Sequence, residues 1–193
     1  MTNLNKYTEK LFRDMYWKEF DRKDKINANL SLPAGILTVL AGVAAFYMQN
    51  FPFPKWSVCT ISFVVLSVAL FISIAFAVYY FIRAYHLGYA YGYIPNAEEI
   101  AKYASDLKKY YESIQAADID EKVENDLRVF LTAEYSKYGT INTQNNDEKS
   151  KYLHHANIAI SISLIFLFLS LFPFYIVYHS TSKIQKVEAV NKK

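Results

Sequence analysis

The sequence has one cysteine, Cys59, with five glycines and five prolines among 193 residues. A single thiol excludes an internal disulfide and every multi-cysteine zinc site. The scarcity of glycine has a parallel consequence. Neither a P-loop nor a glycine-rich dinucleotide turn occurs, and no G-x-S-x-G or Cys-x-x-Cys is present. His154 and His155 are adjacent, so on a helix their side chains diverge by about a hundred degrees. The residue four positions beyond His154 is Ile158, and the histidines read as a solvated interfacial pair rather than a metal site. The carboxylates from Glu98 to Glu134 are spread along helix faces without converging. These absences predict a chain that is not an enzyme, with no catalytic residues, no metal and no cofactor.

Charge is missing over long stretches too. Leu30–Met48, Trp56–Ile82 and Ile158–Tyr178 contain no Asp, Glu, Lys, Arg or His, although the chain carries 21 Lys and Arg and 18 Asp and Glu. A bilayer-spanning helix needs ~20 apolar residues. A charge at its centre costs roughly 2.5–3.5 kcal/mol on the insertion scale, so charge-free windows of this length read as membrane spans. The expected fold is an all-α integral membrane protein with spans at 30–48, 56–82 and 158–178, the first two forming a hairpin. Residues 1–29 are expected as an amphipathic helix and 83–157 as a helical bundle, both cytoplasmic, with 179–193 as a basic tail.

Orientation follows from the basic residues. Seven Lys and Arg precede the first span, whereas the connector QNFPFPK carries only Lys55, which places the N-terminus in the cytoplasm. Lys183, Lys186, Lys192 and Lys193 in the tail pull mildly the other way. Nothing before the first span resembles a cleavable signal peptide. Phe46, Tyr47, Phe51, Phe53 and Trp56 bracket the outer turn, and Tyr79, Tyr80 and Tyr85 mark the inner end of the second span, where amphipathic rings favour headgroup depth.

Outside the spans the pattern is helical. Leu4, Tyr7, Leu11 and Met15 recur at three- and four-residue spacing, an amphipathic face that lies on the membrane or packs in a bundle. Asn96 followed by Glu99 predicts a capped helix start after Pro95. Its apolar stripe is Ile100, Tyr103, Leu107, Tyr110 and Ile114. A second helix is expected from Asp118 or Asp120, through Val123, Leu127, Phe130 or Leu131, and Tyr138, ending at Gly139. TINTQNND, residues 140–147, then reads as a polar linker, with Asn146 or Asp147 capping the last helix.

The spans carry weakly polar groups. Ala34, Gly35, Thr38, Ala41, Gly42 and Ala45 form a small face on the first, while Thr60 and Ser67 lie in the second, and Asn157 and Ser161 at the start of the third. Gly35, Thr38, Gly42, Thr60, Ser67, Asn157 and Ser161 are therefore candidates either for helix packing or for lining a pore. No ionisable residue lies within a span, which argues against proton-coupled transport. Three spans are too few to enclose a path, so conduction requires an oligomer.

The order of amphipathic helix, N-L-S-L-P-A-G span, aromatic turn, long span, Y-x-Y-I-P-N-A-E-E-I helix, N-N-D-E-K-S-K-Y-L-H-H-A-N and final span resembles small bacterial membrane effectors of anti-phage defence. It is most similar to the channel-forming effectors of the Hailong defence system and more loosely to SLATT-type effectors. The resemblance covers nearly the whole chain. It implies a homotetrameric ion channel in the inner membrane, opened or held closed by a nucleotide or single-stranded oligonucleotide made by a partner nucleotidyltransferase.

Residues 83–157 hold twelve Asp and Glu against nine Lys and Arg, so only local clusters attract phosphate. Arg83 and His86 below the second span, and Lys149, Lys151, His154 and His155 above the third, are the candidate ligand residues. Nearby Tyr85, Tyr89, Tyr91, Tyr93 and Tyr152 are candidates for base stacking or for interfacial anchoring. A different class of function, a non-conducting anchor or scaffold for a soluble partner, fits the same pattern.

Overall fold

The computed structural model describes residues 3–53, 57–86 and 88–191, with side chains at 6–53, 57–85 and 88–180. Among these residues there is no strand. The helices are α1 (Asn3–Ala28), α2 (Ser31–Asn50), α3 (Val58–His86), α4 (Ala97–Ser113) and α5 (Ile119–Asn191). Three stretches, Lys6–Asn50, Val58–Tyr85 and Ile119–Ser180, are long and apolar enough to cross a membrane, as the charge-free windows require. The chain is a multi-pass membrane protein of all-helical fold. It divides into two compact units, one of Met1–Ile26 with Gly88–Glu148 and one of Asn27–Leu87 with Lys149–Lys193.

The second unit contains the apolar windows, and a seven-residue repeat organises it. On α2 the buried residues Pro33, Leu37, Leu40, Ala44 and Tyr47 alternate four and three apart, flanked in register by Leu30 and Phe51. On α5 Leu153, Ala156, Ile160, Ser163, Ser170, Phe174 and Val177 are buried in the same register, the spacing of coiled-coil seams. Leu37, Leu40, Ala77, Ala159 and Ile160 form one cluster, and Tyr47, Phe51, Phe63, Phe174 and Val177 form another. In the latter, Phe51 stacks on Phe63 at 3.9 Å and Tyr47 on Phe174 at 4.8 Å.

Lipid tails are as apolar as these side chains, so close packing and hydrogen bonds rather than water exclusion hold such helices together. The residues follow that logic. Ala77, Ala84 and Ala156 are fully buried, and the Ser163 hydroxyl bonds Ser73 Oγ and the Ala159 carbonyl, each at 2.8 Å. Pro173 lies inside α5 and gives the Leu169 carbonyl no amide donor, the usual origin of a local bend.

In the first unit the Asn96 cap is as the sequence predicts. Its side chain accepts from the Glu99 amide at 2.9 Å, and Glu99 answers to the Asn96 amide at 3.2 Å. The α4 stripe is rotated from expectation. Ile100, Ala104, Leu107 and Tyr111 are half-buried, whereas Tyr103, Tyr110 and Ile114 are exposed. On α1 the packed face is Phe12, Tyr16, Phe20 and Ile26, while Tyr7, Leu11 and Met15 face outward; the side chain of Leu4 lies outside the described residues. Aromatic mass decides this. Tyr16 meets Trp17, Phe20 and Tyr135 edge-on at 5.0–5.5 Å, gaining more contact than the slimmer aliphatic stripe offers.

The larger correction concerns residues 139–147. No helix ends at Gly139 and no linker follows, because α5 runs from Ile119 to Asn191. Gly139, Asn142, Asn146 and Lys149 are buried and continue the register of Leu153 and Ala156 backward. Asn146 and Asp147 are therefore mid-helix and cap nothing.

Candidate functional site

Polar chemistry in the first unit gathers where α1 and the 88–96 segment meet α5. Gly88, at φ 71°, turns the chain, and the residues after it are gripped by asparagines. The Asn142 carbonyl accepts from Gly92 N–H at 2.8 Å and its amide donates to Gly92 O at 3.1 Å, as a neighbouring strand would. Asn145 donates to the Ala90 carbonyl at 2.8 Å. Asn146 accepts from the Tyr91 hydroxyl at 2.7 Å and donates to Glu19 O and Oε2 at 2.8 and 2.9 Å. Gly92 admits nothing larger, since a Cβ there would lie 2.2 Å from Tyr138 Cδ1.

Around this network Arg22 donates to Asp147 Oδ1 at 2.6 Å, and that bond above all holds the guanidinium pKa higher than usual. Lys23 Nζ lies 4.5 Å from the centre of the Tyr91 ring, within cation–π range. Burial raises the phenol pKa of Tyr91 and of Tyr16, with the Ile94 amide donating to the Tyr16 oxygen partly opposing the latter. Each group here satisfies another, so the cluster is a structural clamp. Sequence reading missed it, although Asn142, Asn146 and Lys149 keep step with the span that follows.

The candidate ligand residues fall in the second unit and separate into two sets. Arg83 Nη2 donates to the Tyr152 hydroxyl at 2.9 Å, with the guanidinium 4.9 Å over the ring. Lys149 is buried and its ammonium donates to Asn27 Oδ1. These two cations are used internally. Lys151 and His154 are exposed, and His155 is half-buried with its ring 5.3 Å from that of Tyr80. The His86 side chain lies outside the described residues. No group of three or more His, Cys, Asp or Glu among the described residues is placed to hold a metal ion.

The weakly polar residues of the spans separate just as clearly. Thr60 and Ser67 are buried, and Thr60 Oγ1 lies 3.0 Å from Ser57 Oγ; they pack within the chain. Gly35, Thr38, Gly42, Asn157 and Ser161 face outward. Thr38 and Ser161 return their hydroxyl protons to the Ala34 and Asn157 carbonyls, and a Cβ on Gly35 or Gly42 would meet no atom within 4 Å. Ser31, Gly35, Thr38, Gly42, Ala45 and Gln49 thus form an exposed line of small or weakly polar residues down α2. No protein-family model, curated protein or solved structure matches the chain.

Proposed function

We propose that the chain is the subunit of an oligomeric, tetrameric ion channel of the bacterial inner membrane, with its N-terminus in the cytoplasm. In this reading it is an anti-phage effector gated by a nucleotide-derived or single-stranded oligonucleotide ligand from a partner nucleotidyltransferase, and it acts by depolarising the membrane and arresting growth. The observation that carries the channel is the exposed line on α2. From Ser31 to Gln49 it extends roughly 27 Å by helical rise, close to the ~30 Å hydrocarbon thickness. Small residues in that arrangement suit close approach of another helix or a shared aqueous axis, and large side chains would suit lipid better. Side chains fill the interior of the protomer's own membrane unit, so a path for ions needs several copies.

The ligand rests on the resemblance to defence effectors and on Lys151 and His154, which stand exposed at the threshold of the third span. Purified protein in planar bilayers is expected to show unitary currents, and the absence of currents under any nucleotide would leave only the anchor or scaffold. If the ligand holds the channel closed, overexpression without the partner enzyme depolarises cells within the induction period. Fully polarised, growing cells would sink that sign of gating. Lys151→Glu is expected to weaken binding of a single-stranded oligonucleotide while leaving oligomer size unchanged. The log–log salt slope of binding should become shallower by about 0.7–0.9 for each phosphate no longer neutralised; an unchanged slope removes Lys151 from the site.

A further inference from the structure

A groove of about 480 Å³ runs along the membrane unit between α3 and α5, walled by Ile72, Phe76, Ile162 and Phe166, with Tyr80 and His155 at one end. We infer that this groove is a binding site for one acyl chain of an anionic phospholipid, whose headgroup sits at His155 and Lys151. The site needs only a membrane-embedded chain and no conduction, and its headgroup competes with a soluble nucleotide for Lys151.

Three features point to this occupant. The first is length: the α5 side of the groove, from His155 to Phe166, rises roughly 16 Å, about half the ~30 Å hydrocarbon thickness. One lipid leaflet has that depth, whereas a helix from a second copy crossing the bilayer would call for a groove along the whole span. The second is polarity. Apart from Ser73, whose hydroxyl donates to the Leu70 carbonyl and accepts from Ser163, the polar groups lie at the end where α5 enters its apolar stretch, as an amphiphile with a single head requires.

The third is charge. In sequence this unit contains a single carboxylate side chain, Glu188, at the far end of α5. Lys151 lies one turn toward water from His155 on the same helix face, is exposed, and has no ion-pair partner among the described residues. The preceding carboxylates on α5 are Asp147, bonded to Arg22, and Glu148, one turn before Lys151 and two turns before His155. Within this unit a phosphodiester at the mouth of the groove therefore meets Lys151 and no carboxylate, and Tyr80 adds a phenol at headgroup depth.

The test is native mass spectrometry of the full chain released from detergent after incubation with phosphatidylglycerol or with phosphatidylcholine of matched chains. The wild type is expected to retain one phosphatidylglycerol per chain, at least fivefold over phosphatidylcholine. Ala69 lines the groove and is half-buried, so Ala69→Phe should fill it and abolish retention. Lys151→Gln with His155→Ala should instead abolish the preference between the two lipids. Helicity and elution volume confirm that each variant is folded, and the milder Ala69→Leu replaces Ala69→Phe if that variant is not. Equal retention of both lipids by the wild type, or unchanged retention by the folded groove-filling variant, overturns the inference. So does an Ile162→Cys cross-link between chains in a Cys59→Ala background, because it places a second copy in the groove.

Discussion

Asn142→Leu is expected to unfold the first unit at moderate denaturant while leaving the membrane helices in place. The Asn142 side chain is fully buried and meets both the amide and the carbonyl of Gly92. Leucine approximates its volume but supplies neither a donor nor an acceptor, so two backbone groups lose their partners together. Each buried, unsatisfied group costs about 1–3 kcal/mol, which puts the loss at roughly 2–6 kcal/mol, a large share of what holds a small unit together. Asn142→Asp should restore the acceptor for the amide and lose only the bond to the carbonyl, though burying a charge adds a penalty of its own. Hydrogen exchange at the amides of 88–96 and limited proteolysis read the change directly. Protection at Gly92 equal to that of the wild type would show that the side-chain ladder is dispensable.

Gly42→Leu is expected to break the proposed oligomer without destabilising the single chain. A Cβ at this position meets no atom within 4 Å, and the residue is exposed on α2. A leucine there therefore has room inside one chain, and any effect arises outside it. If copies approach along the Ser31-to-Gln49 line, the added side chain separates them and prevents close packing over several turns. Oligomer mass should fall, and unitary currents should vanish. Retention of both would show that this line faces lipid, and the axis would then have to be sought on α5, where Asn157 and Ser161 are the outward polar residues.

The elements that could be read from sequence were those whose signal is local. Charge-free windows, the Asn96–Glu99 cap and a helix start at Asp118 or Asp120 depend on neighbours within a few residues; the structure runs long apolar helices through the windows, caps α4 at Asn96 and starts α5 at Ile119. The clamp could not be read in that way. Asn142 and Asn146 look like turn residues because asparagine competes with the helix backbone when its side chain has no other partner. Their partners are Gly92, Tyr91 and Glu19, about 50 to 127 positions away, and no local rule reports those distances. The same limit applies to Lys149, a candidate ligand residue by sequence that is buried against Asn27. The small face of the first span was legible as a pattern, and the structure adds that it points away from the chain's own core.

One property of α5 bears on how its sequence can change. From Gly139 to Val177 its inward positions fall at alternating intervals of three and four: Gly139, Asn142, Asn146, Lys149, Leu153, Ala156, Ile160, Ser163, Leu167, Ser170, Phe174 and Val177. A single inserted or deleted residue rotates everything beyond it by about 100° relative to what came before. Lys149 and the asparagines would then lose their partners, or the serines and alanines would turn outward. Insertions of seven residues keep the phase, and insertions of three or four strain it locally by overwinding or underwinding. Across this stretch, length is therefore as constrained as residue identity, and relatives of this chain should differ there in steps of whole heptads.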